Sequence, residues 1–455
     1  MKKQLQTLLL TAVLAITCGS NTATAQLISA GGSHSIFLCG SKQPMATGAN
    51  TYGELGDGTT TQRLAPVPLT ALSGIIAVSA GLSHSLFLKD DGTVWACGKN
   101  TFGELGNGTT SSFSANPVVA QVNSITGVIA VSAGEQHSLF LKSDGTVWAC
   151  GSNAQGQLGD GTYTARQVPV QVSGVSGIIA ISAGHMHSLF LKNDGTVWAC
   201  GNNGNGQLGE GMTSSDKNTP VQVDNVSGII AISGGNYHSL FLKNDGTVWG
   251  CGSNFGGQLA DGTSSQRNSP VQATALSGSF TGISAGNSMS AFIKNDGTVW
   301  VGSTSPTQIA TLTGITAVSV GGGGANTHAL FLKNDGSVSA NGINYTGQLG
   351  DGTTTNAITP VAPSGLCSVA SVNDRNEIEE SVFVYPNPSR EIMLVELTEY
   401  KDVSMQLFDI TGQLIWQAAL LDVKTPVNIG SLANGMYFLK LAGPAGSTVK
   451  KIVKE

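Results

Sequence analysis

Six histidines recur at one position of a repeated phrase: His34, His84, His137, His187, His238 and His328. Imidazoles can ligate zinc, but a zinc site needs about four ligands around one point. Equivalent residues of successive repeats lie around a ring and cannot all converge on one ion, so these side chains are read as structural, bonding the glycine-rich turn beside them. His185 and His187 stand two apart and could face the same side of a strand. Four cysteines, Cys97, Cys150, Cys200 and Cys251, follow Trp-Ala or Trp-Gly in each of four repeats. Cysteines in separate repeats are too far apart for a disulfide and read as small buried hydrophobes. Cys39 and Cys367 fall outside that pattern, and in an oxidising exterior they could form a disulfide that fastens the two ends of the repeat array. The aspartates of Asp-Gly-Thr, such as Asp144, Asp194, Asp245 and Asp296, lack the alternating spacing of a calcium loop and read as turn residues. Gly321 to Gly324 has no Lys-Ser/Thr after it and is no phosphate loop. No nucleophile elbow and no paired-histidine zinc motif occurs, so the sequence supplies no catalytic residue, no metal site and no cofactor, and the expectation is a non-enzyme.

The elements that carry these residues are set by the repeat. Ser-Ala-Gly-x-x-His-Ser-Leu-Phe-Leu and its variants begin units separated by 50, 53, 50, 51, 51 and 39 residues, with Met289 in the histidine position of the sixth. Each full unit holds a first apolar run such as Ile75–Ser79, then His-Ser-Leu-Phe-Leu-Lys, an Asp-Gly hairpin turn, Thr-Val-Trp-Ala-Cys-Gly, a long Asn-rich loop and a run such as Pro117–Val122. Four antiparallel strands in about fifty residues is the arithmetic of a propeller blade. Sixty-one glycines and few aromatic residues suit short strands and tight turns. If the last strand of one repeat packed into the next blade, the two chain ends would share a blade and close the ring.

The combination of Gly-x-x-His, Asp-Gly-Thr-Val-Trp and Asn-x-x-Gly-Gln-Leu-Gly resembles the regulator of chromosome condensation repeat over residues 27–363. That resemblance implies an all-β, seven-bladed β-propeller. The sixth unit departs from it: Trp300-Val301-Gly302 runs straight into Ser303-Thr304-Ser305-Pro306, and the Asn loop is missing.

Both ends differ from the repeat. Lys2 and Lys3, the apolar stretch Leu8–Ile16 and Ala23-Thr24-Ala25 have the form of a signal peptide, cleaved between Ala25 and Gln26. No other stretch approaches a membrane span. Expected domains are the leader 1–25, the propeller 26–367, an acidic linker 368–382 and a tail 383–455 that makes a small β-sandwich. Tyr385-Pro386-Asn387-Pro388-Ser389, Asp409-Ile410-Thr411-Gly412-Gln413 and Asn434-Gly435-Met436-Tyr437-Phe438 together make the tail similar to the C-terminal sorting domain of type IX secretion. That likeness implies export through the periplasm, engagement of the type IX machinery, and a secreted or outer-surface protein. Removing residues 1–25, which hold two lysines and no acid, takes the formal charge from −6 to −8. With no basic cluster in the repeats, phosphate neutralisation is unsupported and nucleic acid is not an expected partner.

Two windows change from repeat to repeat while their flanks stay nearly constant. One lies between the glycine and the histidine and contributes Leu82, Glu135, His185, Met186, Asn236 and Tyr237; the other lies in the Asn loop and contributes Tyr52, Phe102, Gln155, Phe255 and Tyr345. In an antiparallel meander both connections emerge on one side, so all eleven residues are expected on one face of the disc. Aromatic and methionine anchors suit an interface. The expected function is a monomeric binding scaffold that engages a protein or glycan through this face. The alternatives are an inhibitor of a secreted enzyme, and the guanine-nucleotide exchange for which the repeat family is known, which export and acidity disfavour.

Overall fold

The computed structural model describes residues 27–111, 114–213, 215–322, 327–367 and 369, and in the tail 382–385, 391–397, 404–409, 414–419, 424–443 and 446–454. The leader, its cleavage point at Ala25 and Gln26, Gly323 to Asn326 and most of the linker lie outside the described residues. Two compact units divide the chain at Ser371 and Val372.

The first unit is a ring of seven four-stranded antiparallel sheets. In the first blade the strands are Ile28–Ala30, His34–Leu38, Pro44–Gly48 and Arg63–Pro68. In the seventh they are Ile315–Gly321, His328–Lys333, Val338–Gly342 and Ala357–Val361. Every sheet uses four consecutive strands, so the two chain ends do not share a blade as expected. The third-to-fourth connection is long enough to bring the outer strand back onto its own sheet, where Gly342 pairs with Ala357 and Ala340 with Val361. The second blade also differs from expectation: its fourth strand is only Ala120–Gln121 rather than Pro117–Val122. Pro117 lacks the N–H that a ladder needs.

The alternation of Ser-Leu-Phe-Leu sends the phenylalanine of a second strand to one neighbouring blade and its leucines to the other. Seven apolar clusters result, one per joint. Leu86 and Leu88 of blade 2 meet Val131 and Phe140 of blade 3. Leu330 and Leu332 of blade 7 meet Ile28 and Phe37 of blade 1, which closes the wheel. The closure is covalent as well. Cys39 and Cys367 are disulfide-bonded with Cα atoms 5.8 Å apart, and Cys39 bridges Val369 as an antiparallel pair.

The second unit is a β-sandwich. Val382–Tyr385, Ile392–Leu397 and Lys424–Asn428 form one sheet. Leu414–Ala419, Ser404–Asp409, Gly435–Gly443 and Gly446–Lys454 form the other, in that order. Met393, Val395, Leu407, Val427, Leu439 and Ile452 fill the space between them.

Candidate functional site

The frame of the propeller is built from three repeated polar devices. The first surrounds the axis. The Ser of each Ser-Ala-Gly accepts a hydrogen bond from a backbone N–H of the next blade. Ala80 N donates to Ser29 Oγ at 2.9 Å, Ala133 N to Ser79 Oγ at 3.0 Å, and the series ends with Ala30 N donating to Ser319 Oγ at 2.9 Å. Seven such bonds complete the circle. The glycine that follows cannot be replaced cheaply: a Cβ on Gly134 would lie 2.6 Å from Gly184 O and 2.6 Å from His137 Nδ1.

The second device uses the repeated histidines. His34 Nε2 bonds Ser85 Oγ of the next blade at 3.0 Å, and His84 bonds Ser138 at 3.0 Å. His137–Ser188, His187–Ser239, His238–Ser290 and His328–Ser35 follow at 2.9 to 3.0 Å. Ser85 gives its own proton to Glu54 O at 2.6 Å, so Nε2 is the donor in the bond with His34 and the imidazole is the neutral Nε2–H form. Burial lowers these imidazoles to about 3 at His34, His137 and His187 and to about 4 at His84 and His238. The bonds run from blade to blade and not, as expected, to the glycine-rich turn beside each ring: Nδ1 of His34, His84, His137, His187 and His238 is buried with no hydrogen-bond partner among the described residues. The repeated cysteines support the same joints. Cys97 Sγ donates to Glu54 O at 3.5 Å and Cys200 Sγ to Gln157 O at 3.5 Å, and burial raises their thiols far above the ordinary range.

The third device shapes the loops. Asn50 is buried and gives Nδ2 protons to Asp57 Oδ1 at 3.1 Å and Thr59 O at 3.0 Å, while its Oδ1 accepts from Leu55 N at 3.0 Å. Asn100, Asn153, Asn203, Asn254 and Asn344 repeat the arrangement. Arg63 then pairs with Asp57 at 2.7 Å, Arg166 with Asp160 at 2.7 Å, Arg267 with Asp261 at 2.7 Å and Lys217 with Glu210 at 3.3 Å. The Asp of Gly-Asp-Gly-Thr is therefore a turn residue and an ion-pair partner. A basic residue six or seven positions downstream was the signal for that second role.

This frame brings the two variable windows together. Lys99 N, at the start of an Asn loop, donates to Ser83 O between the glycine and histidine of the same blade at 2.8 Å. Asn202 N donates to Met186 O and Ser253 N to Tyr237 O in the same way. Near the axis Glu135, His185 and Tyr237 form a cluster. Glu135 Oε2 lies 2.9 Å from His185 Nε2, and the His185 and Tyr237 rings are 5.5 Å apart. Asn236 Nδ2 donates to Asn287 Oδ1 at 2.7 Å. Leu82, Glu135, His185 and Asn236 line the mouth of a narrow axial channel of about 120 Å³. His185 lies in the turn and His187 is committed to Ser239, so the two do not form a pair. Farther out, Phe255 and Tyr345 are largely exposed and Phe102 partly so. Tyr52 lies beneath Lys99, whose Nζ is 5.6 Å from the ring centroid. Met186 and Gln155 are half-buried. The outer aromatics sit on separate blades and do not form one cluster.

Residues 5–302 match the family model of the RCC1-like domain, and residues 383–455 match the secretion system C-terminal sorting domain. The chain belongs to the RCC1-like domain family, and its tail sends it out through type IX secretion, to the cell surface or the medium. Human WBSCR16 is similar in structure, at 23% identity and a TM-score of 0.61 over 71% of this chain and 94% of that one. RCC1 (Prp20) of yeast, solved bound to Kap60, is similar at 20% identity and 0.62 over 72% and 85%. Prp20p from Saccharomyces cerevisiae gives 19% and 0.64 over 78% and 89%. These likenesses concern the fold. No curated protein matches the chain in sequence.

Proposed function

We propose that this exported propeller is a binding scaffold that engages a protein or glycan through the face bearing the Asn loops. One observation carries the reading: the frame repeats nearly unchanged around the ring, while the residues that differ between blades meet on that face. The opposite face carries near-uniform Asp-Gly hairpins in which Thr93 N and Thr146 N each donate to the Asp side chain two residues before. The varied face offers Phe102, Tyr237, Phe255 and Tyr345 as anchors, and such side chains dominate interface energetics. Its buried histidines and serines are spent on joints between blades and its buried asparagines on shaping the loops, so binding rather than turnover is the chemistry it supports. Repeat-to-repeat drift would also vary loops, so the test must separate the two faces.

The full chain is screened on arrays of surface glycans and of purified outer-surface proteins. Tyr237→Ala, Phe255→Ala and Tyr345→Ala should each weaken the captured interaction by about 1 kcal/mol or more while thermal stability stays within about 0.5 kcal/mol. Asp91→Ser and Asp144→Ser on the opposite face should leave binding unchanged. Affinity indifferent to the loop-face set removes the proposal.

A further inference from the structure

One sector of the varied face is incomplete. In five blades the Asn loop reaches over the joint and donates a glycine N–H to a carbonyl at the start of the next blade's fourth strand or, in blade 2, just before it. Gly58 N bonds Pro117 O at 3.0 Å, Gly108 N bonds Gln167 O at 2.9 Å and Gly161 N bonds Asn218 O at 2.9 Å. Gly211 N bonds Asn268 O at 3.1 Å and Gly352 N bonds Leu64 O at 2.9 Å. The equivalent residue of blade 7 is Ile358. Blade 6 has no loop to send it, only Gly302 to Pro306 between Val301 and Thr307. Ile358 is 94% exposed, against 36% for Leu64 at the same place in blade 1. Among the described residues its carbonyl takes one side-chain donor, Asn341 Nδ2, at 3.5 Å.

The neighbouring charge is also unmatched. Blades 1, 3, 4 and 5 pair the loop acid with a cation at the residue that faces the third-strand glycine. Blade 2 has lost both partners, with Asn107 and Asn116 in those places. Blade 7 keeps the acid, Asp351, but has Ala357 where the cation belongs, opposite Gly342. Asp351 Oδ1 still accepts from Asn344 and Thr353, whereas Oδ2, the oxygen that takes the arginine in blades 1, 3 and 5, takes only the Thr353 hydroxyl, at 3.1 Å. Among the described residues no cation pairs with it.

We propose that blade 7 docks an extended, basic segment of a partner protein in the place left by the missing loop. This rests on the binding role given to the varied face and names its protein branch. The surface is the outward continuation of the interface between blades 6 and 7, and in five other blades the same surface is already covered by a polypeptide loop. That internal precedent fixes the backbone contact of the occupant, and the cation that blades 1, 3, 4 and 5 supply from their own fourth strand is left for the occupant to bring. It brings a backbone N–H to Ile358 O, an apolar or small residue to the Ile358 side chain, and an Arg or Lys that reaches Asp351 across Ala357. Charge complementarity selects the basic residue, since no arginine or lysine lies in the segments Ser303–Pro306 and Ala357–Val361.

The full-length protein is panned with a phage-displayed library of random peptides, and enriched peptides are measured on immobilised protein. Enriched sequences should share an Arg or Lys beside a small or apolar residue. Ala357→Arg supplies the missing cation from within and should weaken them at least tenfold while raising the melting temperature. Ile358→Asp changes a solvent-facing side chain and should weaken them as much with the fold intact. Failure to enrich any peptide, or affinity unchanged in both variants, overturns the proposal. Peptides that need Phe255 and Tyr345 but tolerate Ala357→Arg overturn it while leaving the broader binding role standing. A dimer in sedimentation that Ile358→Asp dissolves assigns the surface to a second copy and also overturns it.

Discussion

The joint between blades 7 and 1 and the joint between blades 6 and 7 solve the same packing problem differently. At the first, where the ends of the repeat array meet, every polar bond that runs from blade to blade is present. Ser319 receives Ala30 N, His328 bonds Ser35, Ser35 donates to Gln348 O, Gly352 N reaches Leu64 O, and a disulfide ties Cys39 to Cys367. At the second, which no end of the repeat array interrupts, the axial bond from Val320 N to Ser284 is the one of these devices that remains among the described residues. Met289 replaces the histidine, and Ala329 replaces the serine that would have received it. Both side chains join an apolar cluster with Ile293, Val318 and Phe331. A buried histidine without its serine, or the reverse, would leave a polar group unpaired at a cost of about 1–3 kcal/mol. Losing both together avoids that cost. The polar pair is thus a unit, exchangeable for an apolar pair but not divisible.

The largest test of this contrast concerns the covalent clasp. The disulfide spans 328 residues, and the chain-entropy account gives such a loop on the order of 5 kcal/mol as an upper figure. Reduction, or Cys39→Ser with Cys367→Ser, should lower the denaturant midpoint of the propeller transition markedly; an unchanged midpoint would mean that the noncovalent bonds at joint 7–1 suffice. Next comes divisibility. His238→Met alone and Ser290→Ala alone should each cost about 1–3 kcal/mol, while the double change, which copies joint 6–7, should cost less than the two singles summed. Full additivity in the double-mutant cycle would show the pair is no unit.

A further effect follows from protonation. The buried imidazoles have folded values near 3 to 4, below the value of 6.5 they have when unfolded. The unfolded chain therefore binds the extra protons, so their contribution is fully present above about pH 6.5 and declines as pH falls towards 4. Melting temperature should drop across that window. The His238→Met, Ser290→Ala protein should show a slope shallower by one proton, and an identical slope would contradict the assignment of neutral His238.

Much of this architecture could be read before any coordinates. The number of blades, the missing loop of the sixth, the two windows on one face and the separation of the four cysteines all follow from counting equivalent positions along the chain. The pairing of Met289 with Ala329 was also in plain view, once it is known that a histidine and the serine of the following repeat touch. That knowledge is what the sequence lacks. His34 and Ser85 are 51 residues apart, and the serine carries no sign of which histidine it serves. Likewise, Ser-Ala-Gly looks like the end of a strand, and nothing local says that its hydroxyl receives an amide from the neighbouring sheet.

Period and residue type, therefore, determined which positions are alike, because a repeated hydrophobic pattern has one way of folding into four strands and a turn. Which positions meet was decided only in the closed wheel. The distance between neighbouring sheets and their tilt about the axis are collective properties of seven packed cores, and they decide that the short connection of blade 6 uncovers Ile358 and that Ala357 is the residue beside Asp351.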